Sequence, residues 1–109
     1  MRNIKFRGKD INNNWVYGYY HVISDPDLDI EHHFIINDSG IDCAVQRSSV
    51  CEYTGFVDCN GNDIYEHDIV KNVDDESLFE VVWYKSGFAL LNRNYLSIDE
   101  EIISRFVVI

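Results

Sequence analysis

Between Cys51 and Val70 the chain reads CEYTGFVDCNGNDIYEHDIV. This stretch gathers the residue types that do chemistry: two thiols, one imidazole and seven acidic or amide side chains. Asp58-x-Asn60-x-Asn62 sets three oxygen ligands at alternate positions, as the first part of a calcium loop does. Counted from Asp58, however, the sixth residue is Asp63 where that loop needs glycine, and the twelfth is Ile69 where it needs a bidentate glutamate. Zinc would have to use Cys43, Cys51, Cys59 and His67, or the adjacent His32 and His33. Thiols spaced eight residues apart lack the close ligand pairs of structural zinc sites and read more simply as free cysteines. Catalysis would pair Cys51 or Cys59 with His67 as nucleophile and base, or Glu66 with Asp68 as acid and base. Nearby carboxylates raise a thiol pKa and so oppose the thiolate. Asn60-Gly61 is a strong hairpin signal, and Glu66 and Asp68 are placed to cap backbone N–H groups. The stretch therefore reads as structural turns, with no catalytic residue, metal or cofactor expected.

The elements around it are strands. Ile4-Lys5-Phe6-Arg7 alternates apolar and basic residues, a turn cluster covers Asp10 to Asn14, and Trp15 to Ile23 is aromatic and β-branched; together they predict a β-hairpin. Ser24 to Glu31, with the single proline and four acids, is expected to be a solvated loop. Phe34 to Ile36 and Ile41 to Gln46 flank the turn Asn37-Asp38-Ser39-Gly40 as a second hairpin, and a short strand follows near Val50 to Tyr53. Ile69 to Val73, Leu78 to Tyr84 and Gly87 to Leu91 are further strands. Short strands with tight turns predict a barrel or sandwich. Ser97 with Glu100 forms a capping box for one helix, on which Ile98, Ile102, Ile103 and Phe106 share a face. Phe106 to Ile109 reads as a last strand, and Trp15, Ile64, Tyr65, Ile69 and Trp83 as core.

Composition narrows the function. The 109 residues are 46% hydrophobic and 14% aromatic, enough to bury a core. The net charge is −10. Arg2, Lys5, Arg7 and Lys9 supply all charge in the first nine residues, leaving five basic against nineteen acidic residues beyond them, about −14. Such a surface repels a phosphate backbone and suits a basic or protein partner. The odd number of cysteines and the lack of a leader-like apolar run at Met1 lead us to expect a reduced, intracellular protein. No window approaches the length of a membrane span.

The motif Tyr53-Thr54-Gly55-Phe56, then Asp58-x-Asn60-Gly61-x-x-Ile64-Tyr65-Glu66-x-Asp68-Ile69-Val70, resembles the signature of the YopX family of bacteriophage and prophage proteins. The resemblance extends more weakly to Ile4 to Gly8, Trp15-Val16-Tyr17-Gly18, Val82-Trp83 and Gly87-Phe88. It departs at His67, where the family often has glycine, and the family's glycine-containing tail has no counterpart after Ile109. The resemblance implies a mainly β fold: an N-terminal β-hairpin subdomain with the acidic loop over residues 1–50, an SH3-like β-barrel over 51–109, one short helix, and a single compact unit overall. It implies residence in the cytoplasm of a bacterial host. It transfers no catalytic residue. Ile64 and Tyr65 are expected to anchor a core, Asp68 to brace the entry to a strand, and Gly55 and Gly61 to supply backbone conformations other residues resist.

A non-enzymatic β module that binds protein, itself included, is the leading expectation. The competing one is a nucleic-acid-related regulator. It would either hold a single strand on Arg2, Lys5, Arg7 and Tyr17, beside the exposed rings that such sites stack bases on, or mimic DNA with Asp25, Asp27, Asp29, Glu31, Asp74, Asp75, Glu76 and Glu80 on one face. An enzyme built on Cys51 or Cys59 with His67 ranks third.

Overall fold

The computed structural model describes residues 5–109. The chain divides into two compact units, Met1–Glu52 and Tyr53–Ile109. All strand pairings in both are antiparallel.

In the first unit, β1 (Phe6–Lys9) and β2 (Trp15–Asp25) form the predicted hairpin, with Phe6 opposite Gly18 and Lys9 opposite Trp15. Asp10 closes its turn, its carboxylate accepting from the Asn12 and Asn14 N–H groups. β3 (Ile30–Ile36) then pairs with β2 from Tyr19↔Ile36 to Asp25↔Ile30. Half of the acidic segment expected as a loop, Ser24, Asp25, Ile30 and Glu31, is therefore strand, and residues 26–29 turn. An Asx bond from the Asp27 N–H to Asp25 Oδ1 tightens that turn, so its acids sit solvated on a hairpin tip while the ladder continues beneath them. β4 (Asp42–Ala44) completes the second hairpin, its turn held by Asn37 Oδ1 accepting from Ser39 and Ile41. A 3-10 turn at Arg47–Ser49 leads to β5 (Cys51–Val57), whose first two residues pair with β1. Ile35 is fully buried at the centre of this unit.

In the second unit the rest of β5 pairs with β6 (Asp63–Tyr65). A five-stranded sheet follows, built from β7 (Ile69–Asn72), β8 (Leu78–Tyr84), β9 (Gly87–Asn92), β10 (Asn94–Ser97) and β11 (Phe106–Val108) in the order β10-β9-β8-β7-β11. Alternation decides its core: Val70, Val81 and Leu90 point to one face and meet Ile64, Ile103 and Phe106. Burying each large aliphatic side chain there contributes about 1.5–3 kcal/mol. The single helix α1 (Glu100–Ile103) is one turn long, shorter than its apolar pattern suggests. Asp99, not Ser97, caps it by accepting from the Ile102 N–H at 2.8 Å, because Ser97 is still in β10 opposite Ala89. Ile98, Ile102, Ile103 and Phe106 do share the core-facing side.

The expected barrel closure is not made by strand pairing. β10 and β11 end the sheet, and the outer side of β11 is taken by the turn after β5: the Cys59 N–H donates to the Phe106 carbonyl at 3.0 Å and the Val108 N–H to Asp58 Oδ2 at 3.0 Å. A folded turn that offers two acceptor or donor groups has no length left to form a ladder.

Ile64 and Tyr65 are buried as expected, whereas Trp15, Ile69 and Trp83 are 37%, 39% and 47% exposed. Trp15 stands on the cationic face of the first hairpin, and Ile69 lies opposite Glu80 on the solvent side of its sheet. Trp83 shares the parity of Val81 but lies past the end of the core, edge-on to Phe88 at 4.8 Å. Truncating a buried tryptophan costs about 3–5 kcal/mol. We expect Trp83→Ala to cost roughly half of that, about 2 kcal/mol, and denaturant unfolding that shows a full core-sized loss would contradict this placement.

Candidate functional site

The residues of the 53–68 motif fold onto one another. At Thr54 the β5–β6 ladder slips: Tyr53 opposes Tyr65 and Val57 opposes Asp63, so β5 spends two more residues than its partner. The Thr54 hydroxyl fills the gap, donating to the Ile64 carbonyl at 2.7 Å and accepting from the Phe56 N–H at 3.1 Å. Gly55 follows with φ 89, the backbone region that disfavours a Cβ.

Asp58 organises the next turn. Its Oδ1 accepts from the Asn60 N–H at 2.9 Å and the Asn62 N–H at 2.8 Å, and Oδ2 accepts from the Val108 N–H. The Asp58 N–H and C=O in turn bond Asn62 and Gly61, and Gly61 takes φ 82. Burial pushes this carboxyl's pKa up, but the hydrogen bonds from Val108, Asn62 and Asn60 outweigh it and hold the group below the ordinary carboxylate value.

Asp68 closes a third turn. Its Oδ2 accepts from the Tyr65 N–H at 2.9 Å while its own N–H donates to the Tyr65 carbonyl. His67 occupies the third position of that turn with φ 71, a conformation suited to glycine and costly for a residue with a Cβ. The glycine that the resemblance places at this position is thus explained by backbone geometry. His67→Gly should be neutral or stabilising by up to about 1 kcal/mol, relief of the left-handed strain being offset by the freer unfolded chain. Thermal unfolding checks this, and a loss well beyond 1 kcal/mol would mean that the imidazole contributes more than its contact with Glu80.

Thr54, Asp58 and Asp68 are the buried polar side chains among the described residues, and each is bonded to the main chain. Glu66 is half-buried beside them. The other candidate chemistry does not assemble here. His67 Nδ1 faces Glu80 Oε2 at 3.1 Å and is exposed. Cys59 is exposed, Cys43 is half-buried, and the buried Cys51 directs its thiol to the Ser49 carbonyl at 3.3 Å. Among the described residues no group of three His, Cys, Asp or Glu side chains is arranged to hold a metal ion, and no helix is long and apolar enough to cross a membrane.

Of the nucleic-acid candidates, Arg2 lies outside the described residues. Arg7 and Tyr17 face each other across β1 and β2, and Lys9 faces Trp15. The Arg7 guanidinium sits 4.2 Å from the Trp15 ring centre and the Lys9 ammonium 5.0 Å, so cation–π contacts order this cluster. Lys5 lies just before β1. The acids named for DNA mimicry are split between the units: Asp25 to Glu31 lie at the β2–β3 turn, Asp74 to Glu76 at the β7–β8 turn, and Glu80 within β8 beside His67, with Asp25 and Asp75 bonded within their own turns.

Two contacts escaped sequence reasoning. Val108 binds Asp58 from 50 residues away, a separation that no local pattern encodes. Tyr84 and Tyr95 stack at 3.8 Å and 5° although β9 lies between their strands, β8 and β10, a contact set only by the register of a strand that the sequence did not reveal.

The fold and the motif together define a mainly β protein of antiparallel strands, in which the densest cluster of polar motif residues braces turns. The family model described as YopX protein matches residues 5–109, and the chain belongs to the YopX family. No curated protein matched the sequence.

Proposed function

We propose that this chain is a phage- or prophage-derived accessory protein that acts as a non-enzymatic β module in the host cytoplasm, binding protein partners that include further copies of itself. The observation that supports this reading is the use of Thr54, Asp58 and Asp68 as main-chain braces, which favours an architectural role for the polar motif and recognition through edges and faces. An SH3-like fold of the C-terminal unit belongs to the same proposal. Five short antiparallel strands with a one-turn helix before the last of them support it.

The competing reading, single-strand binding, draws on the register that sets Arg7 beside Tyr17 and Lys9 beside Trp15, with Tyr17 and Tyr19 exposed. Electrostatics weighs against it: four basic residues neutralise only about four phosphates against an acidic remainder, and such binding fades with salt. Light scattering over a concentration series, together with oligonucleotide anisotropy at physiological salt, decides between them. Concentration-dependent mass without oligonucleotide binding supports the proposal. A strict monomer that holds single strands at micromolar affinity would replace it with the competing reading.

A further inference from the structure

The second unit's sheet has two ends, and they differ. The end at β11 is occupied by the Asp58 turn. The end at β10 is open: all four residues Asn94-Tyr95-Leu96-Ser97 are exposed, and the strand carries no charge, proline or bulge, the devices that keep sheet edges from pairing. Inside the sheet, the Ile98 N–H donates to the Phe88 carbonyl. Since ladder bonds alternate along an antiparallel pair, Leu96 bonds inward to Leu90, while the N–H and C=O groups of Tyr95 and Ser97 point away from β9.

We propose that a second copy of this chain pairs on this edge, β10 against β10 about a two-fold axis at Leu96. The inference rests on the protein-binding reading above and names the surface and the partner. In this register Tyr95 faces Ser97 of the other copy and Ser97 faces its Tyr95, so the outward groups exchange four main-chain hydrogen bonds. Leu96 meets Leu96 on the core-side face. The flanking charges select a second copy over an arbitrary strand, because the same register sets Arg93 opposite Asp99 and Asp99 opposite Arg93. Both are exposed, and Asp99 uses only Oδ1 for its helix cap, which leaves Oδ2 toward the other copy's guanidinium. The pairing is self-complementary, as a two-fold interface requires. Four residues a side make a small contact, so the dimer belongs to the weak, transient class.

Two variants test the edge without touching the monomer's ladder. Ser97→Pro removes an outward N–H that makes no bond to β9, and its preceding residue is already extended. Arg93→Asp puts like charges face to face at both ends, and Arg93 has φ 65, a conformation that aspartate tolerates better than arginine. Sedimentation equilibrium of the full chain, with circular dichroism as the folding control, should show a wild-type dimer whose Kd each variant weakens by roughly tenfold or more. A wild-type dimer that neither folded variant weakens overturns this edge and leaves the protein-binding reading standing. A wild-type monomer throughout the concentration range also overturns the proposal, whether β10 instead takes an extended peptide of another protein or nothing at all. If that monomer also binds single-stranded oligonucleotide, the protein-binding reading falls with it.

Discussion

Asp58→Ala should cost about 3–5 kcal/mol, since it strips the acceptor from the Asn60, Asn62 and Val108 N–H groups together and each lost partner is worth at least about 1 kcal/mol. Against a whole-domain stability of roughly 5–15 kcal/mol, that is a large share. The loss has two parts with different readouts: the turn between β5 and β6 slackens, and the last strand loses its outer tether at Val108. Asp58→Asn keeps one acceptor oxygen and should lose about half as much. Acid separates the two further. The folded carboxyl titrates below its ordinary value of 3.8, so its contribution is complete above that pH and disappears as the pH falls through the depressed folded value. Wild-type stability should therefore drop on acidification below about pH 4, and the Asp58→Asn protein should show a flatter profile there. Denaturant midpoints across that range measure it. Parallel profiles for the two proteins would show that Asp58 does not carry this part of the acid response.

Gly18→Ala is the second change with a large expected effect. A Cβ at this position would lie 1.9 Å from the Ile36 carbonyl oxygen and 2.8 Å from its carbon, and neither main-chain atom can swing aside as a flexible side chain would. The end of β3 must then leave β2 at the Tyr19↔Ile36 pair, where the ladder of the acidic hairpin begins. The backbone compounds the clash, with φ 154 at Gly18. A cost of about 3 kcal/mol or more follows, which lowers the melting temperature by roughly 10–20 °C in a chain of this size. Amide exchange should quicken first along Tyr19 to Asp25 and Ile30 to Ile36. Unchanged melting with unchanged exchange would mean that β2 and β3 have room for a Cβ between Gly18 and the Ile36 carbonyl. Gly40 makes a useful control for crowding, as nothing lies within 4 Å of a Cβ built there.

These two residues mark how differently the sequence exposes its own logic. Asn60-Gly61 after Asp58 announces a turn by residue type, and the β-branched and aromatic runs around Val70, Val81 and Leu90, separated by turn residues, announce strands, since strand composition and turn chemistry are local properties. The mainly β class, both N-terminal hairpins and the one short helix were legible for that reason, and the resemblance to the YopX family rested on the Tyr53 to Val70 motif. Burial was less legible. Trp15, Ile69 and Trp83 are large and apolar and sit in good strands, yet each is substantially exposed, because a strand's own pattern does not say which face is covered or where the core ends. The Ser24 to Glu31 segment misled in the opposite direction: its acids suited a loop, but cross-strand pairing with β3 extended the ladder under them. The partners of Asp58 and the openness of the β10 edge were decided only when distant segments met. The tether from Val108 needs the chain to return across 50 residues, and a strand becomes an edge only by the order in which its neighbours assemble. Local periodicity can encode what a segment is; the free energy of long-range packing decides what it touches.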